Sequence, residues 1–189
     1  MAICAAEMLE RQKLAQNTLV ATVMSNLGLE VAMQRMGGKL VRTQVGDRYV
    51  VEEMRRNAYN FGGEQSGHLI FLRHNTTGDG ILGGLQLLVA MKKKEQPLSE
   101  LTKILEPFPQ VLKNVRTEKK LALEQLPGFS DKISSMEKSI GTCGRILVRP
   151  SGTEPVIRVM VEGEDEKLIN AMASELCDFI SKKASSEPG

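Results

Sequence analysis

The chain has 189 residues, 41% hydrophobic and 25% charged, and its 25 Lys and Arg against 23 Asp and Glu leave a net charge of +2. These fractions exclude a disordered or collagen-like chain. The near balance of charge excludes a general polyanion-binding surface, so any anion site has to be local.

Residues 2–14 read as a helix, with Ala5, Met8 and Leu9 at helical spacing. Residues 18–24 form a short apolar, β-branched run of the kind that makes a buried strand. Ser25 and Asn26 can cap a second helix whose face is Leu29, Ala32, Met33 and Met36, and Gly37-Gly38 ends it. A strand follows at 40–45. Gly46-Asp47 opens a third helix with Val50, Val51 and Met54, and a strand pair surrounds 60–72. After a polar turn at 75–80, residues 81–94 read as helix, and Lys92, Lys93 and Lys94 at its end read as a solvated C-terminus. Alternating strands and helices imply an α/β layer with a mostly parallel sheet and helices on both faces. The chain opens inside a helix with no strand before it, so it is expected to be the back part of a longer polypeptide that has lost its first strand.

The second half changes character. Pro97 begins a short helix, and Glu106-Pro107-Phe108-Pro109 reads as a hinge, because each proline holds its predecessor extended. A strand is expected near 110–116 and helix over 118–139. Strands at 144–148 and 156–161 flank a compact loop. A last helix at 165–183 presents Leu168, Met172, Leu176 and Ile180 on one face. This half reads as a small α+β domain with an antiparallel sheet. The domains are expected at 1–107 and 108–189.

Aromatics are scarce, with five Phe, two Tyr and no Trp, so the cores have to rest on aliphatics and the ten Met. Cys4, Cys143 and Cys177 are odd in number and far apart, which argues against disulfides and a zinc site and for reduced thiols in the cytoplasm. Cys143 reads as a buried or idle thiol. No apolar run approaches the ~20 residues of a membrane span. The N-terminus carries Glu7 and Glu10 and no basic leader.

Two stretches can carry chemistry. The first is Arg149-Pro150-Ser151-Gly152-Thr153-Glu154-Pro155, followed by Arg158. Two guanidinium groups, two hydroxyls and the backbone N–H groups near Gly152 are donors that can converge on a phosphate. The alternative for the same residues is a tight hairpin with its arginines in solvent. The second is Gly62-Gly63-Glu64-Gln65-Ser66-Gly67-His68. Its glycines let a backbone approach a ligand, and its carboxylate, amide, hydroxyl and imidazole suit sugar hydroxyls. The alternative is a flexible turn between strands. His68 is a candidate for proton transfer, and Asp47 and Arg48 are weaker candidates for the same cleft. No second histidine or carboxylate stands at metal-ligand spacing, so no metal site is expected in this chain.

Together, Ala21 followed by TVMSN at 22–26, VGDRYV at 45–50, FGGEQSGH at 61–68, NTTGDG at 75–80, GRILVRPSGTEP at 144–155 and IRVMVEG at 157–163 resemble the α-D-phosphohexomutases. Gln65 and the GDRYV stretch are similar to the bacterial branch that acts on glucosamine phosphates. The resemblance implies an isomerase with four domains around a cleft, of which this chain matches most of the third and all of the fourth, the latter similar to half of the TATA-binding protein. It implies that Glu64 and Ser66, with Gly63 and Gln65, bind sugar hydroxyls and that His68 lies at the reacting phosphate. It implies further that Arg149, Ser151, Gly152, Thr153 and Arg158 hold the phosphate that is not transferred.

The implied reaction converts glucosamine 6-phosphate to glucosamine 1-phosphate through a phosphoserine and a sugar bisphosphate intermediate. The resemblance also implies a magnesium cofactor. This sequence has neither a T-A-S-H-N serine loop nor a D-G-D-x-D magnesium loop, so the serine and the magnesium ligands are expected in preceding domains of the same polypeptide. The implied partners are a phosphosugar substrate and those domains, with neither nucleic acid nor membrane, and a homodimer of the full-length enzyme is left open. The chain alone is expected to be inactive. The alternative is an autonomous phosphosugar-binding or regulatory module.

Overall fold

β1 (Thr18–Thr22) organises the first half of the protein, and all five of its residues are buried. It pairs in parallel with β2 (Lys39–Thr43), from Thr18 opposite Lys39 to Thr22 opposite Thr43. On its other side it pairs in parallel with β3 (Phe61–Gly63), which pairs antiparallel with β4 (Leu69–Phe71). The sheet order is β2-β1-β3-β4. A strand alternates its side chains, and both faces of β1 are covered, so its residues read as one apolar run. Leu19 and Ala21 face a core with α1 (Ala2–Glu10), α2 (Leu27–Arg35) and Leu82 of α4 (Gly80–Lys94). Phe61 and Phe71 stack in the same core at 4.4 Å between ring centroids. Val20 faces the other way, with Ile70, toward Val50 and Met54 of α3 (Asp47–Arg56).

This computed structural model describes residues 1–117, 123, 126–152 and 154–184. The chain divides into two compact units, Met1–Pro107 and Phe108–Gly189. Among the described residues no helix is long and apolar enough to cross a membrane.

In the first unit the helices sit where the periodicity predicts them, with two corrections. α1 stops at Glu10 rather than continuing to residue 14, and Gln12 takes a positive φ of 53°. The Asn60 side chain accepts from the N–H of Ala15 and donates to the carbonyl of Lys13, so a distant residue satisfies backbone groups a longer helix would have used. The lysines ending α4 are not simply solvated. Lys93 pairs with Glu7 at 3.2 Å and Lys94 pairs with Glu10, which ties α4 to α1. α2 is capped as expected, by the Asn26 side chain on the N–H of Gly28. α5 (Leu98–Leu101) follows Pro97.

The second unit is an antiparallel sheet of order β5-β7-β6, with β5 (Gln110–Arg116), β6 (Gly144–Pro150) and β7 (Val156–Gly163). α6 (Phe129–Ile140) and α7 (Glu166–Ala184) cover one face, against Val115, Ile146, Ile157, Val159 and Val161. The helix expected over 118–139 starts at Phe129; residues 118–122, 124 and 125 lie outside the described ones. α7 buries Ile169, Met172, Ala173, Leu176 and Ile180 and leaves Leu168 exposed. Steps of four residues drift about 40° around a helix, so the true stripe mixes steps of three and four and bypasses Leu168. The Asp165 side chain accepts from the N–H groups of Lys167 and Leu168 and caps α7.

Candidate functional site

The polar loop of the first unit sits where an open α/β sheet places ligands, beyond the carboxyl ends of its parallel strands. β3 ends at Gly63 and β4 begins at Leu69. The loop between them closes through the N–H of Glu64 on the carbonyl of His68, at 2.9 Å, and the N–H of Gly67 on the carbonyl of Glu64. Gly67 turns the chain with φ of 98°. Gln65, Ser66 and His68 are exposed and Glu64 is half-buried.

Two of the loop's glycines serve packing. A Cβ on Gly63 would meet the His68 carbonyl at 2.5 Å. One on Gly62 would meet Met54 Sδ, the Val20 carbonyl and Val50 Cγ1, each at 2.8 Å. The space without side chains is taken up by the protein's own hairpin and by α3.

The fold gathers groups that lie far apart in sequence. Glu64 Oε1 accepts from the N–H of Gly46 at 2.9 Å. Next along the chain, Asp47 opens α3, and its Oδ2 lies 3.3 Å from His68 Nδ1. Asp47, Glu64 and His68 each place a ligating atom within 4.8 Å of the others. Asp47, a sequence candidate for the same cleft as His68, stands beside it, and the parallel strand ends bring residues 47, 64 and 68 together although no metal-ligand spacing along the chain reveals the group. Arg48 does not join them; it is exposed and pairs with Glu52 one helical turn along, at 2.8 Å. That bond, the largest cause, and the Glu52 charge raise the Arg48 guanidinium above its ordinary value.

The cationic site of the second unit is built on one hairpin. Arg149 belongs to β6 itself rather than to the loop, and it stands directly opposite Arg158 of β7. Asn114 of β5 lies across from Arg158 on its other side. Like charges directly opposite in a sheet repel and destabilise it. Burial, first, and the Arg158 charge, second, push the Arg149 guanidinium below its ordinary value. Its Nε is buried and has no partner among the described residues, although a buried donor without a partner costs about 1–3 kcal/mol. An anion between the two arginines would satisfy both.

The turn beyond them is held by backbone. The N–H of Ser151 donates to the Val156 carbonyl at 2.7 Å, and the N–H of Thr117 reaches the Pro155 carbonyl at 3.0 Å. Ser151 is buried, Gly152 is exposed, and Thr153 lies outside the described residues. Glu154 and Arg158 come no closer than 4.0 Å. Sequence reasoning missed the Arg149–Arg158 register, although a tight turn between strands predicts such opposition. Further along the same side of the sheet, Arg145 holds the fully buried Glu162 at 2.6 Å. Cys143 is exposed rather than buried, while Cys4 is buried.

Comparisons with known proteins place these two units. The family described as "Phosphoglucomutase/phosphomannomutase, alpha/beta/alpha domain III" matches residues 1–108, and "Phosphoglucomutase/phosphomannomutase, C-terminal domain" matches residues 89–179. Phosphoglucosamine mutase of Desulfotalea psychrophila is 62% identical over 186 residues, 98% of this chain and 41% of the relative. That of Pelobacter propionicus is 55% identical over 96% of this chain and 40% of its own length. The chain thus spans about two-fifths of these relatives. N-acetylphosphoglucosamine mutase of Aspergillus fumigatus shares the fold, with a TM-score of 0.83 at 20% identity over 97% of this chain and 42% of that one. The same fungal enzyme in complex with GlcNAc-6P and magnesium superposes with a TM-score of 0.79 at 21% identity, over 97% of this chain and 43% of that one. With both units matched in order, the chain belongs to the phosphoglucomutase/phosphomannomutase family and carries its third α/β/α domain and its C-terminal domain.

Proposed function

We propose that this chain supplies the sugar-recognising and phosphate-holding parts of a phosphoglucosamine mutase, which interconverts glucosamine 6-phosphate and glucosamine 1-phosphate. The observation that carries the reading is the Arg149–Arg158 opposition, with a buried guanidinium nitrogen left without a partner. The 62% identity to a bacterial phosphoglucosamine mutase supports the choice of sugar.

In this reading Arg149 and Arg158, with Ser151, Gly152 and Thr153, hold the phosphate that is not being transferred. Glu64 and Ser66, with Gln65, take the sugar hydroxyls. His68 accepts the proton of the sugar hydroxyl that receives a phosphoryl group and returns it to the oxygen that gives one up. The phosphoserine that donates and recovers the phosphoryl group lies outside this sequence, and the sugar bisphosphate is the intermediate between the two transfers. Magnesium prefers six oxygen ligands in an octahedron. Asp47, Glu64 and His68 offer two carboxylates and an imidazole and do not fit it, so the ion's ligands are assigned to the preceding domains. Such an enzyme works in the cytoplasm on a soluble phosphosugar.

Calorimetric titration with glucosamine 6-phosphate tests this. Each charged hydrogen bond lost costs about 1.5–3 kcal/mol, so Arg149→Ala should weaken binding roughly 10- to 100-fold. Lys93→Ala, on α4, should leave it unchanged. Equal effects would remove the phosphate assignment. The same titration separates the two forms of the idea. Millimolar affinity fits a fragment that needs its other domains, and micromolar affinity fits an autonomous phosphosugar-binding module.

A further inference from the structure

The Asn75–Gly80 turn is among the stretches that carry the family resemblance, yet nothing above gives it a role. Its Asp79 donates its N–H to the Leu69 carbonyl at 3.2 Å, and its Oδ1 caps α4 through the N–H of Leu82. Asn75 Nδ2 donates to the other Asp79 oxygen. The turn is thereby anchored to the start of β4, next to His68. Its Gly78 lies against the Asp47–His68 pair. A Cβ there would come within 3.1 Å of His68 Cβ and 3.2 Å of Asp47 Oδ2.

The pair itself has a direction. Asp47 Oδ2 lies at Nδ1 of His68, the nitrogen on one side of the ring. The Asp47 contact at Nδ1 is the one polar side-chain contact of His68 among the described residues, so Nε2 has no partner there. Asp47 Oδ1 is buried without a partner, so the carboxylate is held away from water on that side. A carboxylate beside one imidazole nitrogen favours the proton on that nitrogen and leaves the other as the acceptor. Glu64, the second carboxylate of the group, is occupied through Oε1 by the N–H of Gly46.

We propose that Asp47 is a positioning residue for His68: it fixes the ring with its proton on Nδ1 and presents Nε2 to the substrate oxygen, and the turn at Gly78 leaves the room this pairing needs. The proposal rests on His68 being the proton-transfer group, and it deepens that reading by assigning the nitrogen that acts and the residues that set it.

The test uses the chain with its histidines labelled with 15N. The protein has two histidines, His68 and His74, so two imidazole spin systems appear and His74 serves as the internal reference. At alkaline pH, where imidazole is neutral, the 15N shifts should report the Nδ1–H form for His68. In Asp47→Asn that preference should be lost, with His74 unchanged. Gly78→Ala should do the same by pressing on the pair, and it decides the matter if Asp47→Asn also moves His74. A His68 ring that shows no Nδ1–H preference in the parent, or keeps it in both variants, overturns the proposal. In the full-length enzyme Asp47→Asn should lower kcat about 10- to 100-fold with KM unchanged, and an unchanged kcat likewise overturns it. The tautomer is read without substrate, so a failure of the mutase reading shows up separately, as glucosamine 6-phosphate binding that Arg149→Ala and Lys93→Ala affect equally, with the His68 signature intact.

Discussion

The first unit assembles its polar group from three separate places, the start of α3, the β3–β4 loop and the turn before α4. The second concentrates its cations on neighbouring strands of one hairpin. The difference teaches which perturbations each site tolerates. A site built from distant strand ends depends on how helices pack on the sheet. A site built on one hairpin depends on register, which the turn alone sets.

The largest effect that sharpens this contrast is steric. Gly62→Ala should destabilise the first unit by about 1–3 kcal/mol, because the added methyl meets Met54, Val50 and the Val20 carbonyl. Gly152→Ala, in the turn of the hairpin, adds a methyl into open space and should change denaturant midpoints little. If the two midpoints move alike, β3 does not depend on α3 packing in the way described.

Next in size is the response to anions. Inorganic phosphate at ten times its dissociation constant should stabilise the second unit by about 1.4 kcal/mol, read as a rise in its melting temperature. Arg158→Ala should abolish that rise. Without phosphate the same variant should be as stable as the parent or more so, by up to about 1 kcal/mol, since it removes a like charge opposite Arg149. A less stable variant in phosphate-free buffer would show that the two arginines do not repel.

Acid should act on the first unit through Asp79. The N–H of Leu82, first, holds its carboxyl below the ordinary carboxylate range, against a smaller opposing effect of burial. A carboxyl with a depressed folded value contributes stability above its unfolded value of about 4, and the contribution is lost as pH falls through the folded value. Asp79→Asn keeps the cap and should flatten the melting temperature of this unit against pH below about 4; an unchanged slope would remove Asp79 from the acid response.

The smallest effect is one of labelling. Cys143 is exposed, while burial raises the thiols of Cys4 and Cys177. A thiol reagent should modify Cys143 first and Cys4 only on unfolding, as followed by mass spectrometry.

Much of the fold was legible because it is local. The apolar run of β1, the Asn26 cap and the turn before α4 announce themselves within a few residues. The end of α1 was not legible, since Asn60 intercepts its backbone from 45 residues away. The α7 stripe was misplaced at Leu168 because a four-residue step drifts off the buried face. At the hairpin, residue types alone identified the candidate anion site, and the strand register supplied the confrontation of two arginines.

By itself the sequence determined element types, the change of character near Pro107 and the two stretches rich in ligand-binding groups, because propensity, capping and turn chemistry act over a few residues. Only the tertiary structure decided that Gly62 and Gly63 serve packing, that Arg48 turns to Glu52, and that Asp47 and His68 meet beneath Gly78. Those outcomes depend on how strand ends converge in a parallel sheet, and that convergence joins residues whose spacing along the chain carries no sign of it.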